Sequence, residues 1–202
     1  MTAMSEQKRI GRLLDVIADD IVPLTQVGVS RGNKVFGAAI LHKDDMSLVI
    51  AGTNNENENP LWHGEVHTLK LFYEIPAAER PRTEDCLFLA THEPCSLCLS
   101  AITWTGFDNF YYLFGYEDTA ETFNIPHDLE ILQEVFAVKG GNYVRENAFW
   151  TSHSIVEMIA GLPHMERERE RANERVAQLT TAYAKLSATY QKNKATSRIP
   201  LP

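Results

Sequence analysis

Two short segments of this chain carry residues whose types and spacing suit chemistry. One is His63-Gly64-Glu65, the other Pro94-Cys95-Ser96-Leu97-Cys98. Together they offer one imidazole and two thiolates, a donor set that suits Zn²⁺. Cys95 and Cys98 are spaced i, i+3, so on a helix both sulfurs share one face. A helix N-terminus favours the thiolate form that binds metal. His63 also opens a predicted helix, and two facing helix starts can converge on one ion. Three protein donors leave the fourth position of a catalytic zinc for water, whose pKa the metal lowers to about 7. Glu65, two residues from His63, projects differently and is the expected proton shuttle for that water. His67 or His92 could instead close the tetrahedron and make the site structural. The spacing around His63 is not that of HExxH metalloproteases. Cys86 reads as a small core residue.

Positioning these residues requires an ordered scaffold, and the sequence supplies one. The chain has 202 residues, of which 44% are hydrophobic and 23% charged, a composition typical of a globular domain. Ser5 opens an amphipathic helix reaching about Val22, with Ile10, Leu13, Leu14, Ile17 and Ile21 on one face. Lys34–His42 and Ser47–Gly52 read as a β-hairpin around Asp44-Asp45. Polar TNNENENP follows, then a helix over His63–Ile75 stopped by Pro76. Cys86–Thr91 is a strand buried on both faces. Cys95–Trp104 is a helix and Asn109–Tyr116 a strand. Pro126–Val138 is a helix, Asn142–Arg145 an edge strand, and Ser154–Ile159 a short helix. This order predicts a three-layer α/β arrangement.

The last quarter changes character. Leu162, Met165, Ala172, Val176, Leu179, Tyr183, Leu186 and Tyr190 recur at helical spacing in a long helix. The chain is therefore expected to divide into a domain over 1–162 and a helical extension over 163–202. The apolar stripe is either laid on the domain's own flank or forms a dimer seam.

The net charge of −8 disfavours phosphate backbones, so nucleic acid is an unlikely partner. Three cysteines exclude a disulfide framework. No apolar run reaches membrane-spanning length, and MTAMSEQKRIGRLL lacks the apolar stretch of a secretory signal. A cytoplasmic location is the expectation.

H-x-E followed by P-C-x-x-C is the signature of zinc-dependent nucleobase deaminases. From about Lys34 to Tyr116 the sequence resembles the cytidine deaminase-like superfamily. The resemblance implies a three-layer α/β/α sandwich with a central mixed sheet and one zinc on His63, Cys95 and Cys98. It implies Glu65 as the catalytic proton shuttle. THEPCSLCLSAITW is most similar to the guanine and cytosine free-base deaminase group. Phe36-Gly37-Ala38 resembles the pocket-side strand of such enzymes, and Gly52-Thr53-Asn54 the segment that supplies a substrate-binding Asn. Glu117-Asp118-Thr119-Ala120-Glu121 resembles an acidic segment near the pocket of bacterial guanine deaminases. The expected substrate contacts are thus Asn54, Phe36, Trp62, Gly64 and Asp118. The offset from Asn54 to His63 is short for the group, which leaves Asn55 or Asn57 as alternatives to Asn54. The resemblance also implies association into a homodimer or higher oligomer through helices near the metal site. The expected activity is hydrolytic deamination of a small amino-heterocycle, a free nucleobase foremost. A tRNA adenosine deaminase and a catalytically silent zinc scaffold are the alternatives.

Overall fold

Continuous burial marks the centre of the sheet. In the computed structural model, which describes residues 4–162, 166–194, 197 and 199–202, the hairpin is β1 (Gly37–His42) and β2 (Leu48–Thr53). They pair antiparallel from Gly37↔Thr53 onward. In the turn, the Asp45 carboxylate accepts the Ser47 N–H at 2.8 Å. β3 (Cys86–His92) pairs antiparallel with the other edge of β1, and β4 (Asn109–Phe114) lies parallel to β3. Every residue of β3 and β4 is buried, as their continuous apolar runs require. Leu87, Leu89, Tyr111 and Leu113 face one helical layer. Phe88, Ala90, Phe110 and Tyr112 face the other. The full order is β2-β1-β3-β4-β5, a mixed sheet.

One layer holds α1 (Glu6–Asp15), α2 (Val22–Ser30), α6 (Ile155–Ala160) and α7 (Glu166–Asn193). The opposite layer holds α3 (Gly64–Glu74) and α4 (Ser96–Trp104), against which α5 (His127–Phe136) packs. The expected three-layer sandwich is present, with the long C-terminal helix in its first layer.

Two elements differ from expectation. The first helix does not stop near Val22 but continues to Ser30 across Pro23. Residues Val16–Ile21 form a π-helical turn, in which the Val22 N–H reaches back to the Ile17 carbonyl. That wide turn restarts the helix with Pro23 in the first turn of α2, where a missing N–H costs little. The edge strand is not Asn142–Arg145 but β5 (Thr151–Ser154), parallel to β4. Gly140 and Gly141 take left-handed φ of 59° and 67°, and they turn the chain just before Asn142. The following segment touches β5 through the Ser152 N–H to Arg145 carbonyl bond and one isolated bridge, Glu146↔Thr151. The short helix starts at Ile155, capped by Ser154.

The α7 stripe is covered by the chain itself. Leu179, Tyr183, Leu186 and Tyr190 are buried in the same core as Ile10, Leu14 and Val29, with Ala172 and Val176 packed on its edge. Met165 and the expected boundary at Pro163 lie outside the described residues. Among the described residues no helix is long and apolar enough to cross a membrane.

Candidate metal centre and cavity

The two motifs meet where two helices begin. His63 is the N-cap residue of α3 and Cys95 that of α4, with Cys98 in the first turn of α4. Gly64 allows this approach: a Cβ there would lie 2.7 Å from the Phe36 carbonyl carbon and oxygen. Only glycine lets the start of α3 rest directly on the chain entering β1.

His63 Nδ1 lies 3.4 Å from Cys95 Sγ and 3.8 Å from Cys98 Sγ, and the two sulfurs are 3.6 Å apart. Tetrahedral zinc at about 2.3 Å from sulfur and about 2.05 Å from nitrogen places sulfurs about 3.8 Å apart and S–N pairs about 3.5 Å apart. The three donors therefore fit zinc, and among the described residues they form the one group of this kind. Neither alternative histidine joins it. His67 Nδ1 lies 2.7 Å from the Thr53 carbonyl and its ring stacks on Trp62. His92 is enclosed by Phe36, Phe114, Phe123 and Tyr183. Burial pushes its pKa down to about 3.

Negative charge gathers at the centre, and a metal would bind there in competition with protons on His63 and Cys98. Burial alone would lower the His63 pKa. The hydrogen bond and charge of Cys95, with help from Glu56 and Glu65, raise it instead to about 9. Of the thiol pair, Cys95 is held well below its ordinary pKa, chiefly by the hydrogen bond to Cys98. Burial, and then the Cys95 sulfur, hold Cys98 well above it. One thiolate is thus stabilised by its surroundings, and a dication would draw the second proton off. Glu65 is buried, with Oε2 at 3.3 Å from Cys98 Sγ. Burial first, then the Cys95 charge, raise its pKa to about 7.

A cavity of about 240 Å³ opens onto this centre. Its walls include Lys34, Phe36, Glu56, Leu61, His63, Cys95, Leu97, Ile125, Asp128 and the C-terminal Pro200 and Leu201. An inner recess is bounded by Phe36, His63, Glu65, Glu93, Cys95, Cys98 and Asp128. The structure thus brings together His63, Glu65, Cys95, Cys98 and Phe36, with Gly64 behind them.

Three expected contacts sit elsewhere. Asn54 is fully buried and does not line the cavity. Its Oδ1 accepts the Lys34 and Glu56 N–H groups, and its Nδ2 donates to Glu56 Oε2 at 2.5 Å. Trp62 stacks on His67 beneath the Lys70 ammonium, and its neighbour Leu61 takes the place on the wall. Asp118 is exposed and accepts the Gly115 N–H at 2.9 Å. Asn55 and Asn57 also lie off the wall, bonded to Glu58 and to the Arg31 carbonyl.

The acid that reaches the recess is Asp128, in the first turn of α5. Burial, then the Cys95 charge, hold its carboxyl well above the ordinary range. An acid in a helix's first turn reads as a complement to the dipole, so its sequence context hid it. Glu93, just before Pro94, was also overlooked. It accepts the Tyr143 hydroxyl at 2.8 Å, Arg145 at 2.7 Å and the Tyr116 N–H at 3.2 Å. Tyr116 in turn donates to the Pro94 carbonyl at 2.6 Å, so the loop bearing Cys95 is tied down from both sides.

Residues 22–114 match the family described as the cytidine and deoxycytidylate deaminase zinc-binding region. They contain all three metal donors and Glu65. Among curated proteins, a guanine deaminase of Bacillus subtilis (strain 168) is 31% identical over 103 residues, 50% of this chain and 64% of that protein. The match therefore spans less than two thirds of the relative's length. The X-ray structure of guanine deaminase from Bacillus subtilis shares the fold at a TM-score of 0.50 and 24% identity, over 71% of this chain and 87% of that one. A guanine deaminase structure from Nitrosomonas europaea aligns at a TM-score of 0.48 and 18% identity, over 88% of this chain and 85% of the other.

Proposed function

We propose that this protein hydrolytically deaminates a free nucleobase or related small amino-heterocycle, with guanine the first substrate to test. Water and the ring amine are consumed; an oxo ring and ammonia are released. The observation that carries the reading is the buried Glu65 carboxyl beside a three-donor metal centre at the floor of a cavity. A silent scaffold has no use for a carboxylate there. The similarity to a guanine deaminase supports the choice of base.

Zinc, when bound, makes water a competent nucleophile at neutral pH. Glu65 would take one proton from that water and pass it to a ring nitrogen. It would then take the second from the hydroxyl added to the ring carbon and give it to the amine, which leaves as ammonia while the carbon–oxygen double bond forms. A pKa near 7 suits a group that must both accept and return a proton. Phe36 offers a flat apolar wall. Asp128, whose carboxyl burial holds well above the ordinary range, reaches the recess and can hydrogen-bond a ring atom. Assembly belongs to the same reading. With the α7 stripe already covered, a homodimer forms through the α4 side, where Trp104 is 91% exposed and Leu97 is unburied.

The test is ammonia release across aminopurines, pyrimidines and triazines, with Glu65→Gln alongside. Wild-type turnover of at least one free base is expected. The variant should keep its zinc and lose about 10²–10⁴-fold in kcat. Near-normal turnover by Glu65→Gln, or no release from any ring by zinc-loaded enzyme, would overturn the reading.

A further inference from the structure

The short loop between Asn54 and His63 does more than connect β2 to α3. It closes on itself through the Asn55 N–H to Trp62 carbonyl bond and the Trp62 N–H to Asn59 carbonyl bond, both 2.8 Å. This closure brings Glu56 back under His63. The two nitrogens of the His63 ring then face different partners. Nδ1 faces the two sulfurs, while Nε2 lies 3.6 Å from Glu56 Oε1.

Glu56 is itself held in place. Oε1 accepts from the Lys34 ammonium at 3.1 Å, and Oε2 accepts from Asn54 Nδ2 at 2.5 Å. Lys34, Glu56 and Asn54 are all at most 5% exposed. Burying an ion pair costs desolvation that mutual attraction often fails to recover, so stability alone is a poor reason to keep one. Its alignment on a metal-ligating histidine is a better one. Such histidines ordinarily direct the second ring nitrogen at a carboxylate, which fixes tautomer and ring orientation and strengthens the ligand.

We propose that Glu56 is a positioning residue of the metal centre, orienting His63 so that Nδ1 faces the thiolates, with Lys34 and Asn54 holding its carboxylate. This assigns Asn54 to the support of the centre. It rests on the zinc site and not on the choice of substrate.

The experiment is zinc competition against a chromogenic chelator, using the full chain. Glu56→Gln keeps the shape and removes the charge. It is expected to bind zinc about 10–100-fold more weakly than wild type. Because this variant leaves the Lys34 charge unpaired, Lys34→Met/Glu56→Gln is measured beside it, with a thermal melt of each. The double variant should regain thermal stability yet keep the weakened zinc affinity. Zinc affinity within twofold of wild type in either variant would overturn the proposal. The readout is metal affinity, so a failure to turn over guanine would count against the proposed substrate and leave this result intact.

Discussion

Acidification should destabilise this protein through one histidine outside the metal centre. His92 ends β3, is 1% exposed, and is boxed by four aromatic rings from β4, α7 and the flanking loops. Its Nδ1 lies 2.9 Å from Thr91 Oγ1. Burial moves its pKa from 6.5 down to about 3. The folded protein therefore holds His92 neutral, while the unfolded chain takes up a proton as pH falls through 6.5. Stability from this group is complete above pH 6.5 and is lost as pH falls toward 3. At about 1.36 kcal/mol per unit, the loss is about 2 kcal/mol at pH 5 and approaches about 5 kcal/mol near pH 3. For a chain of this length, 2 kcal/mol corresponds to about 4–8 °C in Tm. His92→Leu removes the titration and keeps an apolar filling. Its packing offset is the same at every pH, so the slope isolates the linkage. Melting both proteins between pH 8 and pH 5 should show the variant losing less by that amount. Parallel curves would refute the argument, because other acid-sensitive groups, the thiolates included, are common to both proteins.

Three further outcomes follow from the geometry. Cys95→Ala and Cys98→Ala should each abolish the one zinc per chain measured by metal analysis; full retention would remove the pair from the ligand set. Gly64→Ala should destabilise by about 1–3 kcal/mol in chemical denaturation, since its Cβ would meet the Phe36 backbone at 2.7 Å; wild-type stability would mean that α3 can shift freely. Leu179→Ala should cost about 2–5 kcal/mol without changing the mass in solution, because that side chain packs inside its own chain. A fall in mass at unchanged stability would place α7 in a seam between copies.

How much of this was legible depends on the range over which each feature is determined. The metal donors were readable because their geometry is local. The i, i+3 cysteines need only a helix start, and His63 needs only another facing it. β3 and β4 were readable because strands buried on both faces must be apolar throughout. β5 was not, because Thr151–Ser154 is polar and half-buried, and its place depends on β4 offering a free edge. Helix continuation across Pro23 was hidden because the π-helical turn that accommodates it has no periodic signature.

The substrate side of the cavity shows the same limit more sharply. Asn54 was expected to contact substrate from its neighbours in sequence, yet its amide is taken by Glu56 and by two backbone N–H groups. What decides this is the closure of the loop over residues 54–63, which the short spacing hinted at without showing where Glu56 would point. Asp118 and Asp128 illustrate it again. Both are acids near the start of a helical segment, and only the path of the chain after Phe123 carries the second to the recess. The metal centre depends on donors that short helices place together, so it can be read from spacing. The other walls of the cavity come from the segment entering β1, the 54–63 loop, α5 and the C-terminus, which meet only after the sheet has assembled. Under the proposed reaction, substitutions at Leu61, Ile125, Asp128 or Leu201 should therefore alter which ring is accepted while leaving zinc binding and Glu65 in place.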